Sequence, residues 1–499
     1  MKNETNTTRR RKAVKSKIEP SVEQGLPIEQ VAAPSQRRDG GDYAAFIKKK
    51  AIIAESAGIK NPQAISEKLF PFQQACVRWA LIKGRCALFQ GTGLGKTVQG
   101  AEWARHVEDF TGKPILILAP LGVVHQTVRE CKNILDLTVK YVEHQAHIAD
   151  RGIYITNWSK MERFDPTVLG GVLGDETSIW KSMAGKTRKL FIDRFAVTPF
   201  RLACTATPAP NDFMELGSHC EALGVMRAVE MLSAFFTHDG SETQKWRLKG
   251  HGESAFWKWL ASWSICITHP RDIGFEQEGY DLPPLNVHEH IVDCDATPLP
   301  GELFALPART LQERRGARKM TIQDRVEFCA DIIKQKDGEQ WLAWCNLNAE
   351  AEGIARLAGM ANITGSDPDD MKEAKMLRFA SGELQKCATK PSLAGHGMNW
   401  QNCHNTAFIG LSDSWEQFFQ AVRRFWRYGQ KNPVDVHVII SSLEGAVLQN
   451  IKRKEADARR MQLELASHMA QITKGELTQT KRNQLEYKPK MKIELPKWL

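Results

Sequence analysis

The octapeptide QGTGLGKT (90–97) limits the possible folds more than any other stretch of this chain. An apolar run, CALFQ (86–90), precedes it, and a helix-like segment, KTVQGAEWARHVEDF, follows. Between a strand and a helix, such glycines let backbone N–H groups turn inward around an anion, and the helix N-terminus adds partial positive charge. Gly91, Thr92, Gly93, Leu94 and Gly95 then form a cradle for phosphate. Lys96 reaches the β- and γ-phosphates of a nucleotide, and the Thr97 hydroxyl is a ligand for Mg²⁺. Gln90 stands where the strict form of the pattern has glycine.

Around this unit, short apolar runs alternate with amphipathic stretches. PILILAP (114–120), GIYITN (152–157) and RLACTAT (201–207) read as buried strands. Strands separated by helices predict a parallel α/β sheet with helices on both faces. Residues 211–285 break the alternation and end in YDLPPL. From about 340 it resumes: QWLAWCN, ANITG, CATKPS, TAFIGL and DVHVIIS are strand-like, while AEAEGIARLAG and DPDDMKEAKMLRFASGE are helix-like.

The expected layout is a disordered basic tail at 1–41, a first domain at 42–290 with a mostly helical insert at about 211–285, a linker at 291–320, a second domain at 321–450 and a basic helical extension at 451–499. YAAFIKKKAIIAESAG (43–58) reads as a helix stopped by Gly58. Within the insert lies a Trp-rich stretch, KWRLKGHGESAFWKWLASW (245–263). Its Phe256, Trp259 and Trp263 are three and four apart and share one helical face, which suits core packing better than stacking on bases.

The net charge of +10 is placed at the ends. Residues 1–41 hold nine Lys/Arg against five Asp/Glu, residues 452–499 hold twelve against six, and the 410 residues between sum to zero. Basic tails suit a polyanion, because neutralising phosphates releases counterions. No apolar run approaches the ~20 residues of a membrane span, and the basic N-terminus has no apolar segment behind it. A cytoplasmic protein with no membrane partner is expected. The eleven cysteines occur singly, without a CxxC pair, so neither disulfides nor structural zinc are expected.

A phosphate loop serves many enzymes, and a carboxylate on the metal side narrows the choice. VLGDETS (172–178) offers Asp175 to hold Mg²⁺ and Glu176 to orient and deprotonate a water. Gly174 stands where an apolar strand residue is expected, which leaves that strand poorly defined.

Further motifs come in a set order. LFPFQQACVRWAL (69–81) precedes the loop, LILAPLGVVHQTVREC (116–131) and YITNWSKM (154–161) come after it, and TATP (205–208) comes after DETS. NITGSDPDDMKEAKMLRFASGE (362–383), SLAGHGMNW (392–400) and QAVRRFWRYGQ (420–430) close the series. This order, over about residues 65–442, resembles the superfamily-2 helicase-like ATPases, closest to their Swi/Snf-type translocase branch. The wording is similar to the compact helicase-like (DEAD/DEAH-box) proteins of phages and prophages.

That resemblance implies two RecA-like parallel-sheet lobes with an ATP site in the cleft between them. It gives Gln73 the adenine edge with Phe72 packed nearby, and Thr205 and Thr207 the coupling of ATP state to nucleic acid. It makes Gln420, Arg424 and Arg427 the second lobe's contribution to catalysis, beside Lys96 and Glu176. If QAVRRFWRYGQ is helical, Arg424 and Arg427 share a face towards the cleft, while Phe425 and Tyr428 pack on their own lobe. The implied activity is ATP hydrolysis stimulated by nucleic acid and coupled to movement along double-stranded DNA. The alternatives are a strand-separating DNA or RNA helicase and a catalytically silent nucleic-acid-binding protein.

Overall fold

The computed structural model describes residues 53–182, 184–210, 212–238, 246–293, 311–394, 398–412, 414–442 and 445–477. The expected tail at 1–41, most of the expected helix at 43–58, residues 294–310 of the expected linker and the end of the chain from 478 lie outside these.

Each apolar run of the first half becomes a strand. β1 (Arg85–Gln90), β2 (Ile115–Ala119), β3 (Val139–Tyr141), β4 (Ile153–Asn157), β5 (Gly171–Asp175) and β6 (Phe200–Thr205) lie in one parallel sheet. β7 (Phe236–His238) and β8 (Trp246–Leu248) form a separate antiparallel pair, and β9 (Ser264–Ile267) returns to the first sheet. The order is β3-β4-β2-β5-β6-β1-β9. β2 and β6 are buried along their whole length, which is why they read as unbroken apolar runs rather than alternating ones.

The second sheet contains β10 (Leu285–Val292), β11 (Trp341–Cys345), β12 (Ala361–Asn362), β13 (Lys386–Thr389), β14 (Asn405–Ile409) and β15 (Val434–Ser441). It is also parallel throughout, in the order β10-β15-β14-β11-β13-β12. Two parallel sheets, each covered by helices, are two RecA-like lobes in tandem.

The structure departs from the sequence reading in four places. Residues 53–58 are not helical: Ala57, Gly58 and Ile59 donate backbone hydrogen bonds to Lys83, Ile82 and Leu81 at the end of the Pro71–Lys83 helix. Among the described residues, the region expected as a helical insert holds three helices, Leu216–Leu223, Ala228–Phe235 and Glu253–Ala261, but also β9, which pairs with β1 itself. Residues 285–290, expected in the first domain, begin β10, an edge strand of the second sheet paired with β15 along eight residues. The poorly defined strand before DETS is a regular β5, and its Gly174 has a packing cause. A Cβ there would meet Thr177 Cγ2 at 2.7 Å and the Trp158 ring at 2.9 Å.

The Trp-rich stretch packs as core: Phe256, Trp259 and Trp263 are fully buried in the first lobe. The Gly445–Leu477 helix, which includes the described part of the basic extension, belongs to both lobes. Val447, Leu448 and Ile451 enter the second lobe's core, while Met461, Leu465 and Met469 enter the first lobe's. His468 of this helix stacks on Trp257 with ring centroids 4.6 Å apart. Among the described residues, no helix is long and apolar enough to cross a membrane.

Candidate nucleotide site in the interlobe cleft

β5, β6 and β1 are neighbours, and the segments leaving their carboxyl ends meet at one place, where open parallel sheets bind ligands. From β1 comes the loop 91–95, from β5 the pair Asp175 and Glu176, and from β6 the run Thr205 to Thr207. Gly93 and Gly95 have φ of +87° and +80°, a conformation that favours glycine. At Gly95 a Cβ would also lie 2.3 Å from Gln73 Nε2. Gln90 needs no such freedom, because it is still in β1. Its amide pairs reciprocally with that of Gln99 at 2.8 and 2.9 Å, and Gln99 Nε2 donates to the Leu94 carbonyl, so the substitution braces the loop against its helix.

Lys96 Nζ donates to the carbonyls of Gln90 and Gly91 at 2.8 and 3.1 Å. Burial pushes its pKa down, opposed by Glu176 and Asp175. Asp175 is pushed up to about 6 by burial and by Glu176 beside it. Glu176 has φ +55°, left-handed for a residue with a side chain, so the turn stores strain where two acids are presented together. Its Oε1 accepts from Ser178 Oγ at 2.7 Å and from Thr205 Oγ1 at 2.9 Å. Thr207 N in turn donates to Thr205 Oγ1 at 3.1 Å. Thr205 therefore touches the acid itself, while Thr207 is braced behind it.

The second lobe supplies the opposite wall. The Trp415–Val422 helix stops before the arginines, so Arg424 and Arg427 do not share a helical face. They lie in turns instead, in a stretch bound back to its lobe by Gln430 Nε2, which donates to the Cys403 and Phe425 carbonyls, and by Trp400 N, which donates to the Arg424 carbonyl. The two arginines differ. Arg424 is buried and donates to the Gln420 carbonyl, the Gln420 side chain and the Met398 carbonyl at 3.1–3.2 Å. Arg427 lines the cleft, and its Nε is buried without a partner among the described residues. Phe425 is core of its own lobe, but Tyr428 crosses over. Tyr428 packs on Phe70 and Tyr280, with ring centroids 5.9 and 4.6 Å away, and its backbone N lies 3.1 Å from where a Cβ on Gly93 would be.

The resulting cavity, about 440 Å³, is walled by both lobes: Thr92, Gly93, Gly95, Lys96, Thr97, Asp175 and Glu176 face Gln420, Arg424 and Arg427. No family model and no curated protein matches the chain. Among solved structures, it is similar to the SWI2/SNF2 ATPase core of Sulfolobus solfataricus in complex with dsDNA. The identity is 17% over 83% of this chain and 96% of that one, with a TM-score of 0.40. It is also similar to the ATP-dependent Type ISP restriction-modification enzyme LlaBIII bound to DNA, at 14% identity over 81% of this chain and 30% of that one, with a TM-score of 0.47.

Not every expected residue reaches the cavity. Phe72 is fully buried in the core, and Phe70, two residues earlier, lines the wall in its place. Leu94 is likewise buried, and Gly91 is not part of the wall. Gln73 lines it, with its amide held by the Phe70 N–H at 3.0 Å and the Leu94 carbonyl at 3.0 Å. Sequence reasoning missed Glu130, Tyr280, Asn399 and Gln401. Glu130 sits in LILAPLGVVHQTVREC, and Asn399 lies in SLAGHGMNW, so the motifs held a signal for both. Tyr280 lies in YDLPPL, which reads only as a boundary. The oxygen set of Asp175 and Thr97 fits Mg²⁺, and Asp175 has the raised pKa of a buried carboxylate short of countercharge. Among the described residues no three His, Cys, Asp or Glu are grouped to hold a metal.

Proposed function

We propose that this chain hydrolyses ATP in the interlobe cleft and that double-stranded DNA stimulates the reaction and is the track along which it moves. The observation that carries this reading is that one cavity is walled by a phosphate loop and two acids from one lobe and by two arginines from the other. Phosphoryl transfer depends chiefly on positioning and on charge aimed at the transferring group. The loop N–H groups and Lys96 hold the phosphates, Glu176 orients the attacking water and takes its proton, and Arg427 neutralises charge that develops on the γ-phosphoryl group. Asp175 and Thr97 would hold Mg²⁺, which when bound neutralises phosphate oxygens. In this reading Gln73 takes the adenine edge, and Phe70, Tyr280 and Tyr428, which line the same cavity, supply an aromatic wall for the base.

Because the site is complete only with both lobes docked, hydrolysis and lobe movement are linked, and nucleic acid bound across both lobes would be displaced with each cycle. The test is ATP turnover measured with duplex DNA, single-stranded DNA, RNA and no nucleic acid. Stimulation greatest with duplex DNA is the expected result. Equal turnover in all four sinks the nucleic-acid part of the reading, and no turnover in any of them sinks the whole. A forked substrate that is unwound would instead identify a strand-separating helicase.

A further inference from the structure

Outside the cavity, one contact between the lobes reaches the water-activating acid. The 3₁₀ turn Thr177–Trp180 comes directly after Glu176 and carries Ser178, which is buried. The Ser178 hydroxyl lies 2.7 Å from Glu176 Oε1 and 3.2 Å from Glu416 Oε1. Glu416 comes from the other lobe, in the first turn of the Trp415–Val422 helix that also carries Gln420. A serine hydroxyl has one proton to donate, and here two carboxylates are within reach of it. Lys181, one residue past the turn, offsets the repulsion between the two carboxylates: its Nζ binds Glu416 Oε2 at 2.5 Å. With the Glu416 charge offset by an ammonium group, the one serine proton bridges both carboxylates, with its shorter contact to Glu176.

The geometry points to Glu416 as a positioning residue: docking of the second lobe seats its carboxylate against Ser178 and Lys181, pins the turn between them, and so fixes the Glu176 carboxylate for its water. When the lobes part, Glu416 leaves with its helix, and Ser178 and Lys181 lose their common anchor. Glu176 keeps its hydroxyl contacts from Ser178 and Thr205, but Ser178 itself is then unanchored, on a backbone that is left-handed at Glu176. Closure is thereby reported twice, once by Arg427 at the phosphates and once by Glu416 at the acid. Neither the phosphate loop nor the arginines are part of this second path.

The inference rests on the ATPase reading above, and the experiment separates the two. Steady-state ATP hydrolysis is measured, with duplex DNA saturating, for wild type, Glu416→Ala, Ser178→Ala, their combination, and the exchanged pair Glu416→Lys with Lys181→Glu. Glu416 and Lys181 are each about one-third exposed (33% and 39%), so changes there keep the fold, and a melting curve checks every variant, including those at the buried Ser178. The expected result is that kcat of Glu416→Ala falls about tenfold with the KM for ATP within about twofold of wild type. The loss is the same whether or not Ser178 has been removed as well, because both changes cut one path. The exchanged pair restores the ion pair between lobes but puts no carboxylate on Ser178, and its kcat stays low. If the exchanged pair recovers wild-type kcat, or if the two alanine effects multiply, Glu416 is only an interlobe clasp and the inference falls. A wild-type chain that turns over no ATP overturns the underlying reading instead.

Discussion

The two arginines of QAVRRFWRYGQ look equivalent as letters and are not equivalent as groups. Arg424 spends its donors on carbonyl groups of its own lobe, whereas Arg427 faces the cavity with unspent ones. Arg427→Ala should therefore lower kcat by ~10³ or more while the melting temperature stays near wild type. Arg424→Ala should cost stability of about 1–3 kcal/mol, because buried acceptors lose their partners, and its loss of rate results from that. Parallel kcat and denaturation measurements on both variants check the division. At the other wall, Gly95→Ala forces a Cβ onto the Gln73 amide at a positive φ, and nucleotide affinity should fall at least tenfold by titration calorimetry. The glycine was legible in the sequence because a phosphate loop demands it. The unequal burial of the arginines was not, since a spacing of three says nothing about which side chain the lobe consumes.

At the scale of elements, strands buried on both faces were easy to read and exposed or interrupted ones were not. β2 and β6 declare themselves as apolar runs, but β10 is mostly exposed and reads LNVHEHIV, with Val287 and Ile291 open to water beside Asn286, His288 and Glu289, so neither a buried run nor a clean alternation marks it. β5 was obscured by Gly174, whose missing side chain makes room for Trp158. Gly174→Val should destabilise the protein by about 1–3 kcal/mol through overpacking and shift the turn that holds Glu176, visible as a lower melting temperature. The β10–β15 pair is also sensitive to acid. Burial pushes the Asp435 carboxyl up, but bonds from Asn286, Lys336 and His288 outweigh it and hold the group below the usual carboxylate range. His437 is held down to about 4 by burial, with His288 and His290 adding to it. Both groups favour the fold at neutral pH. The histidine contribution is present above about pH 6.5 and fades as pH falls towards 4, and the aspartate contribution is lost below about 4. Hydrogen exchange should show β10 amides losing protection across that range, with His437→Phe removing the upper part of the change.

The whole molecule holds together through elements that do not respect the order of the chain. The Gly445–Leu477 helix is rooted in both cores, and Arg129 of the first lobe pairs with Glu373 of the second. Two lobes sharing a helix rooted in both cores should melt as one cooperative unit, so calorimetry should give a single transition. Met469→Asp, which places a charge in the first lobe's core at the far end of that helix, should split it into two. This sharing was hidden in the sequence, where the helix begins after the last strand and reads as an appendage. Chain order also misleads about β10, which precedes residues 294–310 yet completes a sheet whose other strands, β11 to β15, all come after them. Each half thus lends the other a piece: the early part gives a strand to the later sheet, and the later part gives a helix to the early core. A protease cut between 293 and 311 would leave two fragments interlocked like the links of a clasp, separable by denaturant but not by dilution.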